Sequence, residues 1–132
     1  MGQGFYIAYV WGILPNEDIS HVLDSDEVED LIYQLDIKRQ YESKVRWIGV
    51  FVADNDGNLY EKRLPNGRWE SISYIINYTA FPAANIEAYL REVASVAFAN
   101  AEHKWSEFST EFTRLTHTVL PNPQLLVVHD YD

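Results

Sequence analysis

The chain has 132 residues, a formal net charge of −10 and no cysteine. Its length is that of one ordinary domain, and 47% apolar residues are enough for a core. The lack of cysteine excludes disulfides and thiolate metal sites. The acidic balance argues against direct binding to nucleic acid, because carboxylates repel phosphates. We expect a single acidic domain over residues 1–132.

The apolar run at residues 5–14 is predicted to be neither a membrane helix nor a signal peptide. It is much shorter than the ~20 apolar residues of a membrane helix, and no basic residue precedes it as in a signal peptide. The sequence therefore predicts a cytoplasmic protein without a membrane partner.

The first predicted element is a strand over residues 5–13, in which Tyr9 and Trp11 alternate with Ala8 and Val10. Both faces of this strand are mostly apolar, which is typical of a strand inside a sheet or under a helix. Pro15 ends it, because proline cannot donate to a strand ladder.

The second predicted element is a helix at about residues 25–40, preceded by a short helical turn at 19–23. Its apolar residues recur on one helical face: Val28, Leu31, Ile32 and Leu35. Asp24 or Ser25 is the expected N-cap, and Glu27 stands three residues after Asp24 as in a capping box. Lys38 and Arg39 complement the dipole at the expected helix end.

Three strands are predicted next, at residues 45–53, 59–64 and 69–79, with reversals at the Asp56-Gly57 and Pro65-Asn66-Gly67 sequences. Residues 83–119 contain neither glycine nor proline, so a helix is expected to start at Pro82. One straight helix there would span ~50 Å, and we expect a break between Asn100 and Ser109. A strand over 124–129 closes the chain.

These elements define an α+β fold in the order β-α-β-β-β-α(α)-β. A mostly antiparallel sheet of about five strands, with the helices packed on one face, accommodates that order.

No residue pattern in the chain points to catalysis, to a cofactor or to a metal. The four histidines are scattered and form no metal-binding motif. The acidic loop at residues 54–58 lacks the glycine and glutamate spacing of a calcium loop. No nucleophile elbow or phosphate-binding loop is present either. We therefore name no catalytic residue, no metal ligand and no cofactor.

Charge is distributed unevenly along the chain. Residues 17–36 contain no lysine or arginine and eight acids: Glu17, Asp18, Asp24, Asp26, Glu27, Glu29, Asp30 and Asp36. A contiguous carboxylate surface resembles a nucleic-acid backbone in charge and steers a basic groove towards it. Solubility alone is the competing explanation.

Aromatic residues make up 14% of the chain, and most are expected to fill the core. Trp47, Tyr60 and Trp69 lie in predicted strands that also carry charged residues. Because Trp and Tyr often anchor protein interfaces, these three are candidates for a binding face beside the acids.

The preferred hypothesis is a small inhibitor rather than an enzyme. Its acidic segment would occlude the basic groove of a partner, such as a nuclease or another nucleic-acid-binding protein. Immunity proteins and phage-encoded inhibitors of host defence, such as anti-CRISPR proteins, are of this size and charge. Reversing Glu27, Glu29 and Asp30 to lysine is expected to abolish partner binding with little effect on stability.

Two other hypotheses stay open. One is a small-ligand-binding or hydrolytic domain with a pocket between the sheet and the long helix, lined by Tyr9, Trp11, His129 and Asp130. The other is a structural or assembly subunit, including a homodimer, which exposed apolar residues on the long helix would support.

Overall fold

The computed structural model describes residues 5–41, 45–53, 80–82 and 84–131 of the chain. In those ranges the elements are β1 (Phe5–Ile13), α1 (Glu17–Leu23), α2 (Asp26–Gln34), β2 (Lys38–Tyr41), β3 (Val45–Ala53), β4 (Ala80–Pro82), α3 (Ala84–Val93), α4 (Ser95–Thr116) and β5 (Gln124–Tyr131).

The five strands form one sheet in the order β2-β3-β1-β5-β4, and every neighbouring pair is antiparallel. β1 is the central strand: Trp11 lies opposite Val50 of β3 on one side and opposite Leu125 of β5 on the other. The doubly apolar pattern of this strand predicted such an interior position. The antiparallel α+β fold class is thereby confirmed.

The two faces of the sheet bury different sets of side chains. One face packs against the described helices and forms the main core, which includes Tyr9 and Ile13 of β1, Ile48 of β3 and Val127 of β5. The opposite face carries a second buried cluster of strand residues: Ala8, Val10, Trp47, Leu126 and Val128. The alternation in β1 therefore assigns residues to faces as the sequence predicted.

α4 supplies four large aromatic side chains to the main core. Phe98, Trp105, Phe108 and Phe112 are each at most 2% exposed. Trp105 and Phe108 have ring centres 5.3 Å apart, and Phe108 and Phe112 have ring centres 6.0 Å apart. These positions recur every three or four residues, so one face of α4 lies on the sheet.

The predicted helix over 25–40 is too long at its C-terminal end. α2 ends at Gln34, and Asp36 adopts a left-handed conformation with φ of 56°. Lys38 and Arg39 belong to β2, where they lie opposite Gly49 and Ile48 of β3. Strand pairing therefore determines the position of these two residues, and their expected role at a helix end was wrong.

The predicted break in the long helix also lies elsewhere. The chain leaves helical geometry at Ala94, with φ of −131° and ψ of 43°, and α4 then runs without a break to Thr116. Pro82 is the last residue of β4, so it does not start the following helix. Val96 of α4 is apolar but 73% exposed, so it does not pack in the core.

The two reversals and the two strands predicted between residues 54 and 79 lie outside the described residues. The final strand is longer than predicted and extends to Tyr131. The division of the chain into one domain stays a prediction.

Candidate functional site

The acids of the N-terminal third are concentrated at the starts of two consecutive helices. Glu17 and Asp18 lie in the first turn of α1, and Asp26, Glu27 and Glu29 lie in the first turn of α2. α1 has seven residues, so the two helix starts are separated by about 10–15 Å at a rise of ~1.5 Å per residue. That distance is longer than the Debye length of ~8 Å at physiological salt, so the two groups of acids are largely screened from each other there and their potentials add mainly at low salt.

α1 is positioned by a side-chain cap. The Oδ1 atom of Asn16 accepts a hydrogen bond from the backbone N–H of Ile19 at 2.9 Å. The buried residues Ser20 and Leu23 attach the other side of this helix to the core. Glu17 and Asp18 are consequently held at the surface, where both are exposed.

α2 is strongly amphipathic and places its acids outward. Val28, Leu31 and Ile32 are buried against the core, whereas the intervening residues Asp26, Glu27, Glu29, Asp30 and Tyr33 are exposed. Tyr33 is 88% exposed, the most of any large apolar or aromatic side chain in the described residues. The sequence interpretation missed this residue, although its position out of phase with Leu31, Ile32 and Leu35 was the available signal.

Two of the eight acids are partly neutralised by β2. The Nη2 atom of Arg39 donates to Oε2 of Glu29 at 3.1 Å, and Nζ of Lys38 donates to Oδ1 of Asp36 at 3.0 Å. The hydrogen bond from Lys38, together with the charges of Lys38 and Lys104, lowers the pKa of the Asp36 carboxyl below its usual value. Glu29 and Asp36 therefore contribute less negative potential than the sequence suggested.

Asp24 serves neither as the N-cap of α2 nor as an outward-facing acid. It is the C-cap residue of α1, and Ser25 occupies the N-cap position of α2 without a side-chain cap hydrogen bond. The capping box predicted from Asp24 and Glu27 does not form, because Asp24 lies one residue too early. Its Oδ1 atom is buried and accepts no hydrogen bond from a described residue.

The remaining acids lie exposed at the surface. Five exposed carboxylates have no ion-pair partner among the described residues: Glu17, Asp18, Asp26, Glu27 and Asp30. We refer to these five residues as the α1–α2 acidic surface.

An open groove of about 810 Å³ lies between the outer side of α2 and the start of β2. It is lined by Glu29, Asp30, Ile32, Tyr33, Asp36, Ile37, Lys38 and Arg39. Both ion pairs lie along this groove, and Asp30 and Tyr33 contribute the lining side chains without a partner in the described structure.

Of the aromatic residues proposed for a binding face, the described one, Trp47, does not join the α1–α2 acidic surface. Trp47 is 1% exposed and belongs to the buried cluster on the opposite side of the sheet. Its Nε1 atom donates to Oε1 of Gln40 at 3.1 Å, which satisfies the indole inside that cluster. We therefore remove Trp47 from the candidate contact residues. Tyr60 and Trp69 lie outside the described residues.

The residues considered for an enzymatic pocket are placed as follows. Tyr9 is fully buried in the main core. Trp11 packs on Phe98 with ring centres 5.2 Å apart. Both side chains therefore fill the space between β1 and α4. The structure does not describe the side chains of His129 and Asp130. Within the described ranges, no three His, Asp or Glu side chains converge as metal ligands would.

Among the helices that the structure describes, none combines the length and the apolar character that crossing a bilayer requires. Comparison with known proteins found no matching family model, no matching curated protein and no matching solved structure.

Proposed function

We propose that this chain is a small acidic binding protein that occludes the basic, nucleic-acid-handling groove of a partner protein, without chemistry of its own. The α1–α2 acidic surface is the contact region, and the partner is a nuclease or another nucleic-acid-binding protein. The observation that carries the proposal is the group of five exposed carboxylates on two consecutive helices, none with an ion-pair partner in the described structure.

The competing physical explanation is stabilisation of the helix dipoles. A helix N-terminus carries a partial charge equivalent to about +0.5, whereas the first turn of α1 holds two carboxylates and that of α2 holds three. The dipoles therefore leave a large excess of negative charge at both helix starts. Asp30 lies beyond the first turn of α2 and gains little from the dipole. This excess supports a role in attracting a cationic surface.

The structure indicates a better test variant than the reversal of Glu27, Glu29 and Asp30. Glu29 binds Arg39, so reversing its charge would disturb the contact between α2 and β2 as well as the surface potential. Asp26 and Glu27 are exposed and make no such contact in the described part of the chain. The double variant Asp26→Lys/Glu27→Lys therefore changes the α1–α2 acidic surface without breaking a described ion pair, at the cost of two favourable charges at the start of α2.

A matched control is available on the other helices. Glu92 and Glu107 are exposed on α3 and α4 and form no ion pair with a described residue. Glu92→Lys/Glu107→Lys alters the net charge by the same amount as the test variant. Any effect of overall charge on solubility or on nonspecific binding is then common to both proteins.

The test is affinity capture with the wild type and both variants, followed by nucleic-acid-binding assays on each captured protein. We expect the wild type and the control to retain a partner and to block its nucleic-acid binding, increasingly weakly as salt is added. The Asp26→Lys/Glu27→Lys variant should lose both effects while remaining folded by circular dichroism. Equal capture by all three proteins, or a partner that still binds nucleic acid in the complex, would contradict the proposal.

A further inference from the structure

In the described part of the chain, Arg91 is held by aromatic rings and by carboxylates. The guanidinium of Arg91 lies 4.1 Å from the ring centre of Phe98 and 5.4 Å from that of Trp11. Its Nη1 and Nη2 atoms donate to the two carboxylate oxygens of Glu102 at 3.1 Å each, and Nε donates to Glu87 at 2.9 Å. Such contacts combine a cation–π interaction with a bidentate ion pair.

The geometry of that site depends on helical spacing. Phe98 and Glu102 are four residues apart on α4, so the ring and the carboxylate project from the same face of the helix. A planar guanidinium can contact both at once.

α2 presents an aromatic ring and a carboxylate within one helical turn on its exposed side, with the carboxylate before the ring rather than after it. Tyr33 lies three residues after Asp30 and four after Glu29, so all three side chains share one helical face. Glu29 already binds Arg39 of β2. Asp30 and the 88% exposed ring of Tyr33 have no cation in contact among the described residues. The exposed face of α2 therefore has the ring and the carboxylate but lacks the guanidinium.

There is also room for an incoming side chain beside these two residues. Asp30 and Tyr33 line the groove of about 810 Å³ between α2 and β2, together with the apolar residues Ile32 and Ile37. An arginine has an apolar stem and a charged end. The groove accommodates the stem, and the guanidinium suits the ring and the carboxylate.

We propose that Asp30 and Tyr33 form a subsite for an arginine side chain of the partner protein. This inference rests on the proposed function, and it specifies which basic residue the α1–α2 acidic surface prefers. Arginine is favoured over lysine because only the planar guanidinium stacks on a ring while pairing through two donors. A second copy of this chain fits the subsite less well, because each copy carries a net charge of −10 and the copies repel.

The subsite can be tested without knowing the partner. The probes are a short Gly/Ser peptide with spaced arginines and its counterpart with lysines at the same positions. Chemical-shift titration at low ionic strength gives the Kd of each peptide and locates the amides that respond. We expect tighter binding of the arginine peptide, with the largest shifts around Asp30 and Tyr33.

Three variants separate the ring from the charge. Tyr33→Ala should weaken arginine-peptide binding by about two- to fivefold, the size of a cation–π contact at an exposed site. Tyr33→Phe should retain the affinity, and Asp30→Asn should remove most of the preference for arginine over lysine. Glu107→Gln on α4 is the control, since it removes one charge from an exposed position elsewhere and should leave the preference unchanged.

Each other outcome overturns the inference. If both peptides bind equally and Tyr33→Ala has no effect, the subsite is absent, although the acidic surface can still bind cations. If neither peptide binds, or if sedimentation shows that Tyr33 mediates self-association, the partner-arginine role is excluded. Failure of the proposed function is a separate result, because its test uses Asp26 and Glu27 and leaves Asp30 and Tyr33 intact.

Discussion

Gly12 of β1 and Gly49 of β3 lie directly opposite each other in the sheet, and neither position has space for a side chain. A Cβ atom on Gly12 would lie 2.5 Å from Cα of Gly49 and 2.8 Å from the carbonyl carbon of Ile48. A Cβ atom on Gly49 would lie 2.6 Å from the carbonyl oxygen of Trp11. Real Cβ atoms do not approach other atoms this closely, so these glycines permit the contact between the two central strands.

Gly12→Ala is therefore expected to destabilise the protein by about 3 kcal/mol or more, at the upper end of the range for overpacked sites. The obstructing atoms belong to the backbone of β3, which cannot move without disturbing the β1–β3 pairing. Gly49→Ala should cost less, because part of its obstruction is the Val10 side chain. Urea denaturation measures both values. Unchanged stability of Gly12→Ala would show that the strands are not so close.

Arg91 connects α3 to α4 and to β1 through the contacts that define its site. We expect Arg91→Met to lower the free energy of unfolding by about 1–2 kcal/mol. The ion pairs of this half-exposed residue contribute up to ~1 kcal/mol, and the cation–π contacts contribute a similar amount. Arg91→Lys should recover only a part, since lysine cannot pair through a planar fork.

A double-mutant cycle between Arg91→Met and Glu102→Gln measures the coupling of this pair. The coupling should fall as salt is added. The cycle between Arg91→Met and Glu111→Gln is the control, because Glu111 binds Arg114 instead. A coupling near zero for both pairs would contradict the assignment of Arg91 to Glu102.

Elements with a local signal in the sequence were predicted correctly, whereas features that depend on contacts between distant residues were not. The bounds of β1 and β3 were predicted correctly, because alternating apolar residues and neighbouring breakers are local signals. The end of α2 was not, since Lys38 and Arg39 are compatible with a helix end and leave it only to pair with β3. No glycine or proline lies at the break at Ala94, so this break has no local signal in the sequence.

The candidate site was likewise predicted where the signal is local in the sequence and missed where it depends on distant contacts. The acids at the starts of α1 and α2 were identified from their density in the sequence, and their exposure follows from the apolar stripe of α2. The ion pair between Glu29 and Arg39 joins residues ten positions apart and depends on the strand that the sequence interpretation missed. Trp47 was assigned to a surface because its strand is charged at Arg46, yet its own face of the sheet is buried.

His117 caps the C-terminus of α4 in a left-handed conformation with φ of 59°. Glycine adopts this conformation without the Cβ penalty of about 1–2 kcal/mol, and it is the residue most often found at such helix ends. We expect His117→Gly to raise the free energy of unfolding by about 1 kcal/mol. His117→Ala, measured in parallel by thermal unfolding, should be no more stable than the wild type.

Asp36 has a similar backbone conformation, with φ of 56°, but its side chain also binds Lys38. Asp36→Gly should therefore stabilise the protein less than His117→Gly, because relief of backbone strain is offset by loss of the ion pair. Asp36→Asn keeps a residue that tolerates this conformation and removes only the charge. Equal gains for both glycine variants would show that the Lys38 contact contributes nothing.

The hydrogen bond from Lys38 and the positive charges of Lys38 and Lys104 hold the pKa of Asp36 below its usual value of 3.8. A carboxyl whose pKa is lower in the folded than in the unfolded state stabilises the fold above the unfolded pKa. That contribution is lost as the pH falls through the folded pKa. Because the Asp36 side chain is 69% exposed, the effect on stability is small, and the pKa itself is the better observable.

Lys38→Met should raise the Asp36 pKa towards 3.8, as measured by carboxyl ¹³C titration. Lys104→Met should raise it less, since Lys104 acts only through its charge. An unchanged pKa in Lys38→Met would contradict the ion pair on which the neutralised end of the groove depends.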